Sequence, residues 1–361
     1  MNRNGVIYNT GAVFSGLGWK ERTRPRLDPR VADRELQIIR DDLHCNAVRV
    51  SGTNIGRLTT VTEQALRLGL EVWLSPFLFN RGVPETVRYL AKAARAAEPL
   101  RRQWPGRMVF VAGQEATLLM RGILPGATIQ KRMAGMAGMV KEGGVSQHAD
   151  ALNAFLGQAG AAVRKVFGGE ISYASLSFEP VDWSPFDIIG VDHYRDARVK
   201  DRYAQMLRPL LAHGKPVVVT EFGMRTYRGA DTSGALGFGI RDNASQALHQ
   251  LPLVGRFTRP RLKEGDWQRD EDLQARELTE TLAILQAEGA DGAFVCEFVA
   301  PEATYSDEAR YDLDMNAMSL VKSYAGAHGS TYPDMTWEPK KSFQAVADFY
   351  ASYQPLPEHT R

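Results

Sequence analysis

PVVVTEFG, the stretch from Pro216 to Gly223, decides the fold of this chain. Four consecutive β-branched residues follow the proline and run into Glu221, Phe222 and Gly223. A continuous apolar run bounded by turn formers is a strand buried on both faces, as in a parallel sheet. A glutamate where such a strand opens into its loop is costly unless it has a partner or a task.

Working outward, seven further runs share this character: GVIYNTG from Gly5, NAVRVSG from Asn46, LEVWLSPF from Leu70, MVFVAGQEA from Met108, ISYASLSFE from Ile171, FDIIGVDHY from Phe186 and GAFVCEFV from Gly292. Between them, segments such as ADRELQIIRDDL and VTEQALRLG repeat apolar residues every three or four positions, the mark of a helix with one buried face. Eight strand–helix units predict an α/β fold, a closed (β/α)8 TIM barrel, rather than an open doubly wound sheet. The glycine-rich dinucleotide turn of the latter does not follow the first strand. The connections after strands four and seven, Ala116 to Gly144 and Met224 to about Trp267, are elongated, and loops at that end build the sites of barrel enzymes. The tail carries a last amphipathic helix, SFQAVADFYASY, expected to pack on the barrel. The reading is one elaborated domain over residues 1–361.

The 44 basic and 42 acidic residues nearly cancel, so nothing in the charge calls for nucleic acid. The run Arg22, Arg24, Arg26, Arg30 reads as a solvated face. Cys45 and Cys296 read as small thiols on strands and make no disulfide framework. No secretory apolar region opens the chain and no eighteen apolar residues run together, so the expectation is a cytoplasmic protein without a membrane partner. HExxH, GxSxG and Walker patterns are missing, and neither metal nor cofactor is expected. The partner is a small-molecule substrate.

Chemistry is expected from Gly113-Gln114-Glu115 at the end of strand four and Thr220-Glu221-Phe222-Gly223 at the end of strand seven. These strands lie across the barrel mouth, so Glu115 and Glu221 can face each other over a ligand. One protonates a leaving oxygen while the other, ionised, attacks the anomeric carbon. Unequal surroundings must hold their protonation states apart. Arg49 on strand two and His193-Tyr194 after strand six are candidates to orient Glu221 and stabilise its anion.

The pattern Arg49, Gln114-Glu115, Asp192-His193-Tyr194, Thr220-Glu221-Phe222-Gly223 resembles the barrel glycosidases with glutamates after strands four and seven, known as clan GH-A. The resemblance implies retaining hydrolysis, with Glu115 as acid/base, Glu221 as nucleophile, and Arg49 and Tyr194 orienting the nucleophile. Two departures stand out. Gln114 replaces the usual asparagine that holds the sugar 2-hydroxyl, and strand eight reads Val295-Cys296-Glu297-Phe298 where a tryptophan platform is usual. Phe298 is the candidate substitute for that platform, while Glu179 and Glu297 are candidates for binding sugar hydroxyls, for pairing with arginines, or for different acid–base chemistry. Met120, Met133, Met136 and Met139 mark the loop after strand four either as helix packing or as a lid over an apolar ligand. Two alternatives stay open: the same glutamates performing acid–base cyclisation, elimination or rearrangement of a non-sugar metabolite, and a barrel that binds a ligand without catalysis.

Overall fold

A computed structural model of the protein describes residues 1–16, 19–142, 148–233, 239–251 and 253–352. Eight parallel strands close into a barrel in chain order: β1 (Arg3–Asn9), β2 (Ala47–Gly52), β3 (Glu71–Pro76), β4 (Met108–Gln114), β5 (Glu170–Leu176), β6 (Ile188–Asp192), β7 (Val217–Phe222) and β8 (Gly292–Val295). All eight coincide with the runs read from the sequence. β8 returns to β1 with Gly292 opposite Arg3, which closes the ring.

Helices cover the outside: α1 (Pro29–Asp41), α2 (Ile55–Arg67), α3 (Val83–Gln103), α4 (Ala149–Arg164), α5 (Tyr203–Leu211), α6 (Glu271–Ala287) and α7 (Lys341–Ala351). Their starts are chemically marked. The side chains of Asp28, Asn54 and Asp270 accept hydrogen bonds from the first-turn amides of α1, α2 and α6, and Pro29 opens α1. The strict alternation of strand and helix fails once, because β5 runs to β6 through residues 177–187 without a helix. α7 seats Phe343, Val346 and Tyr350 in the core, and the Tyr350 hydroxyl donates to the Gly5 carbonyl on β1 at 2.9 Å.

Two apolar layers result. The outer one packs helices on strands, and the inner one plugs the lumen with Ile7, Ala47, Trp73, Val109, Val111, Ala174, Ile188, Val218 and Phe294. Successive strand residues face opposite sides, so a step of two from a plug residue stays inside the barrel. From Ala47 that step reaches Arg49, from Trp73 it reaches Ser75, and from Val218 it reaches Thr220. From Ile188 two steps reach Asp192 by way of Gly190, where a β-carbon would stand 2.5 Å from the Tyr173 carbonyl oxygen. The sequence thereby lays a polar tier directly on top of an apolar plug.

Two bulges re-aim the residues above this tier. Between β4 and β5, Val111 pairs with Ser172 but Gln114 pairs with Ala174, so β4 holds one extra residue. The positive φ of Gly113, 118°, supplies the backbone turn, which glycine adopts without strain. Between β6 and β7, Val191 pairs with Val219 and Asp192 with Glu221, which again leaves one extra residue on the strand that ends in a glutamate. β8 registers the same irregularity in β7 from the other side.

The long connections after β4 and β7 are present, with residues 143–147 and 234–238 outside the described set. They are joined by a long segment after β8 that contains an antiparallel pair, Val321–Ser323 with Trp337–Pro339. Phe298 is consumed there. Fully buried, it packs edge-on against Trp337 at 5.4 Å and against Phe343 at 6.5 Å, so it is no platform for a ligand. Arg24 also departs from expectation: it is buried, paired with Glu35 at 2.6 Å, and lies over the Tyr8 ring. Replacing Phe298 by Ala is expected to cost about 3–5 kcal/mol through the cavity it leaves, read as a shift in the denaturation midpoint.

Candidate active site

Arg49 is the hub of the polar tier, and its guanidinium is almost wholly buried. Nε donates to Ser75 Oγ at 3.3 Å. Nη1 donates to the Thr220 carbonyl at 2.8 Å, to Asp192 Oδ1 at 3.3 Å and to Glu221 Oε2 at 3.4 Å. Nη2 donates to Gln114 Oε1 at 2.9 Å. One side chain from β2 therefore ties together β3, β4, β6 and β7. Because guanidinium only donates, the Gln114 amide must present its oxygen to it, which leaves the two amide N–H groups on the other end.

Glu221 receives a second donor, the Tyr194 hydroxyl, on its other oxygen. Burial, with Cys296 and Glu221 beside it, raises the Tyr194 phenol well above its ordinary value, so it acts as a proton donor in this contact. Asp192 stands next to the pair, accepting from Thr220 Oγ1 at 2.6 Å. Burial pushes the Asp192 carboxyl up to about 7 against the pull of Arg49, and nearby Glu221 adds to the push.

Glu115 has a different environment. It follows the β4 bulge with φ 41° and ψ 44°, a left-handed conformation rare outside glycine and asparagine, and it leads into the short helix Ala116–Leu119. Neither a hydrogen bond nor an ion pair reaches its carboxyl among the described residues. Burial raises its pKa well above the carboxylate range, and the negative charges of Asp192, Glu221 and Glu179 push in the same direction. Glu115 and Glu221 are thus close enough to feel each other, one without donors and one with two.

The remaining expectations divide. Glu179 accepts from the amides of Thr117 and Leu176, both at 2.9 Å, and from the Tyr173 hydroxyl at 2.8 Å, while Tyr173 in turn accepts from the Ala116 amide. Its carboxylate is spent on clamping the chain just after Glu115, which corrects its reading as a ligand group. His193 is corrected as well. Its ring stacks on Tyr203 at 4.1 Å and contacts the Tyr203 carbonyl at 3.2 Å, and burial lowers its pKa to about 4. Only its backbone amide touches the site residue, donating to the Glu221 carbonyl at 2.8 Å.

Glu297 follows a cis Cys296–Glu297 peptide and lies near enough to Glu221 for their charges to oppose each other. Burial, Glu302 and Glu221 raise its carboxyl to about 8, against a hydrogen bond from the Asn9 side chain. Cys296 sits beside Tyr194 and Glu221, where burial lifts its thiol well above the ordinary range. In the loop after β4, Met120 and Met136 are buried and Met133 packs on a cluster of Phe79, Leu118, Leu119 and Leu176. That is helix packing rather than a free lid; the side chain of Met139 lies outside the described residues.

Sequence reasoning missed Ser75, Tyr173 and the clamping role of Glu179. Ser75 was open to discovery through strand parity from Trp73. Tyr173 was not, because its parity points outward and its hydroxyl returns to the site only by reaching over the end of β4.

No protein-family model matches the chain, and comparison with curated proteins gives no match. Solved structures do match. A GH113 β-1,4-mannanase superposes with a TM-score of 0.58 at 12% identity, over 98% of this chain and 99% of that one. The GH113 β-mannanase from Alicyclobacillus acidocaldarius, in complex with ManMIm, gives 0.55 at 16% identity, over 97% of each chain. A β-glucuronidase from Ruminococcus gnavus, in complex with uronic deoxynojirimycin, gives 0.54 at 13% identity, over 97% of this chain and 50% of that one. At these identities the likeness establishes the fold: a barrel of the kind found in glycoside hydrolases.

The Glu115 environment yields a stability test. A carboxyl with a raised folded-state pKa contributes fully below its unfolded value, and the contribution is lost as pH rises through the folded value. Glu115→Gln cannot lose a proton. Its melting temperature should therefore gain on that of the parent protein as pH rises above the ordinary carboxylate range, by on the order of a few degrees. A constant difference across that rise would contradict the assigned environment.

Proposed function

We propose that this protein is a glycosidase-like hydrolase that cleaves a small glycoside with retention, with Glu221 as nucleophile and Glu115 as acid/base. The observation that carries the reading is the asymmetry of the two carboxyls. Glu221 accepts from Arg49 and Tyr194, donors that suit an anion, whereas Glu115 has no donor and is pushed towards its protonated form.

In the first step the Glu115 proton passes to the glycosidic oxygen as the bond from that oxygen to the anomeric carbon breaks. A Glu221 oxygen closes on the same carbon, giving a glycosyl ester and a free alcohol. In the second step the ionised Glu115 takes a proton from water, and the water oxygen displaces Glu221. Loss of negative charge on Glu221 during the first step lets Glu115 ionise more easily for the second, because their charges oppose each other. Arg49 and Tyr194 hold the attacking oxygen in line, and the N–H end of the Gln114 amide is the donor available to a ligand hydroxyl.

A second reading draws support from β8. With Phe298 in the core, that strand contributes Cys296 and Glu297 in place of an aromatic floor. The same carboxyls would then serve as acid and base on a non-sugar metabolite.

Turnover of aryl glycosides separates the two readings. Glu221→Gln is expected to abolish hydrolysis, and azide to restore product release in Glu221→Gly with inverted configuration. Glu115→Gln is expected to lower kcat/KM for substrates with poor leaving groups by roughly 10²–10⁴-fold while sparing kcat/KM for those with good ones. A folded protein that turns over no member of a broad nitrophenyl glycoside panel would overturn the first reading in favour of the second.

A further inference from the structure

Among the described residues, every large apolar side chain that stands exposed falls within ten positions of the connection after β7: Leu248, Leu251, Leu253, Val254 and Phe257. Leu253 is 77% exposed and Phe257 89%. Scattered single exposures need no explanation, whereas a contiguous set marks an interaction surface.

The segment that displays them is tied down. Asp242 caps the helix Asn243–His249 through the Ala244 amide at 3.0 Å and pairs with Arg261 at 3.1 Å. Ser245 Oγ accepts from the Arg261 amide, and the His249 ring meets the Thr258 carbonyl at 2.8 Å. A backbone bridge joins Arg241 to Leu262, and the Leu262 amide donates to the Arg310 carbonyl after β8. The backbone of this knob closes on itself while its apolar side chains point away.

Charge selects the occupant. From Arg241 to Lys263 the chain has five basic residues and one acidic one, within a protein whose charges otherwise nearly cancel. Arg256 and Arg259 flank Phe257, and both are exposed, Arg259 also lying over the Tyr311 ring at 4.3 Å and 3.9 Å from a Glu308 oxygen. A second copy of the chain in a symmetric dimer would set one cationic rim against another, which opposes association. An apolar tip in an arginine rim instead matches a bilayer surface, where apolar residues enter the acyl boundary and cations meet anionic headgroups.

We propose that the knob between Arg241 and Lys263 docks the protein on anionic lipid surfaces. Membrane contact was not expected from the sequence because no segment spans a bilayer, and no described helix is long and apolar enough to do so. Peripheral docking needs no span. The knob belongs to the connection that leaves the Glu221 end of β7, so docking would turn the barrel mouth towards the headgroups.

The test is co-sedimentation of the full chain with phosphatidylcholine vesicles, with and without about one-third phosphatidylglycerol. Binding needs no substrate, so its result is independent of the proposed reaction. We expect partition onto the anionic vesicles only, weakened by salt. It should fall at least about tenfold in Leu253→Ser/Phe257→Ser, and by roughly thirtyfold in Arg256→Gln/Arg259→Gln, at about 1 kcal/mol per arginine. The melting temperature of the Leu253/Phe257 variant should be unchanged, since both side chains are exposed. Failure to bind anionic vesicles at low salt would overturn the proposal, as would undiminished binding by the Leu253/Phe257 variant. So would sedimentation velocity showing a dimer that this variant dissolves.

Discussion

A single buried guanidinium organises the mouth of this barrel. Arg49 spans the lumen from β2 and meets partners on β3, β4, β6 and β7, so four strand ends are held in mutual register by one side chain. The burial of Asp192 and the partial burial of Glu221 are tolerable because this cation lies between them. Removing one partner of such a set leaves uncompensated charge in a dry place, typically at a cost of about 3–5 kcal/mol. The same residue that holds Glu221 therefore also makes the polar tier possible.

The two bulges give that tier its chemical asymmetry. An unbroken β4 would alternate Gln114 away from the lumen; the extra residue near Gly113 brings its amide under Arg49 instead. An unbroken β7 would present Thr220 or Glu221 to the lumen but not both, and its extra residue lets Thr220 donate to Asp192 while Glu221 still meets Arg49. Glu115 falls just beyond the first bulge, out of reach of the arginine's hydrogen bonds but within its field and that of the acids. The Glu179 and Tyr173 clamp on the amides of Ala116 and Thr117 then fixes the left-handed turn at Glu115.

The barrel was legible in the sequence because all eight strands are apolar runs with clear ends, a signal that depends only on local pattern. The approach of Arg49 and Tyr194 to Glu221 followed from strand ends alone. What the sequence hid is where side chains of ambiguous type turn. His193 lies between two residues that face the site, yet its ring packs on Tyr203, a choice set by helix α5 rather than by its neighbours. Phe298 was read as a floor, but the segment after β8 brings Trp337 and Phe343 to it, and those contacts join residues far apart in the chain. Glu179 carries no local mark that two amides and a phenol will claim its oxygens.

The way the ring is sealed bears on how the chain acquires its structure as it is made. Of the eight strands β1 is made first, yet one of its edges is bonded only by β8, and its Gly5 carbonyl waits for Tyr350 of α7. Until those segments emerge, the nascent first strand has an unpaired edge and an uncovered apolar face, the features that invite wrong partners. Vectorial synthesis can build an open half-barrel, but completion is a late event that links the first strand to the eighth and to α7.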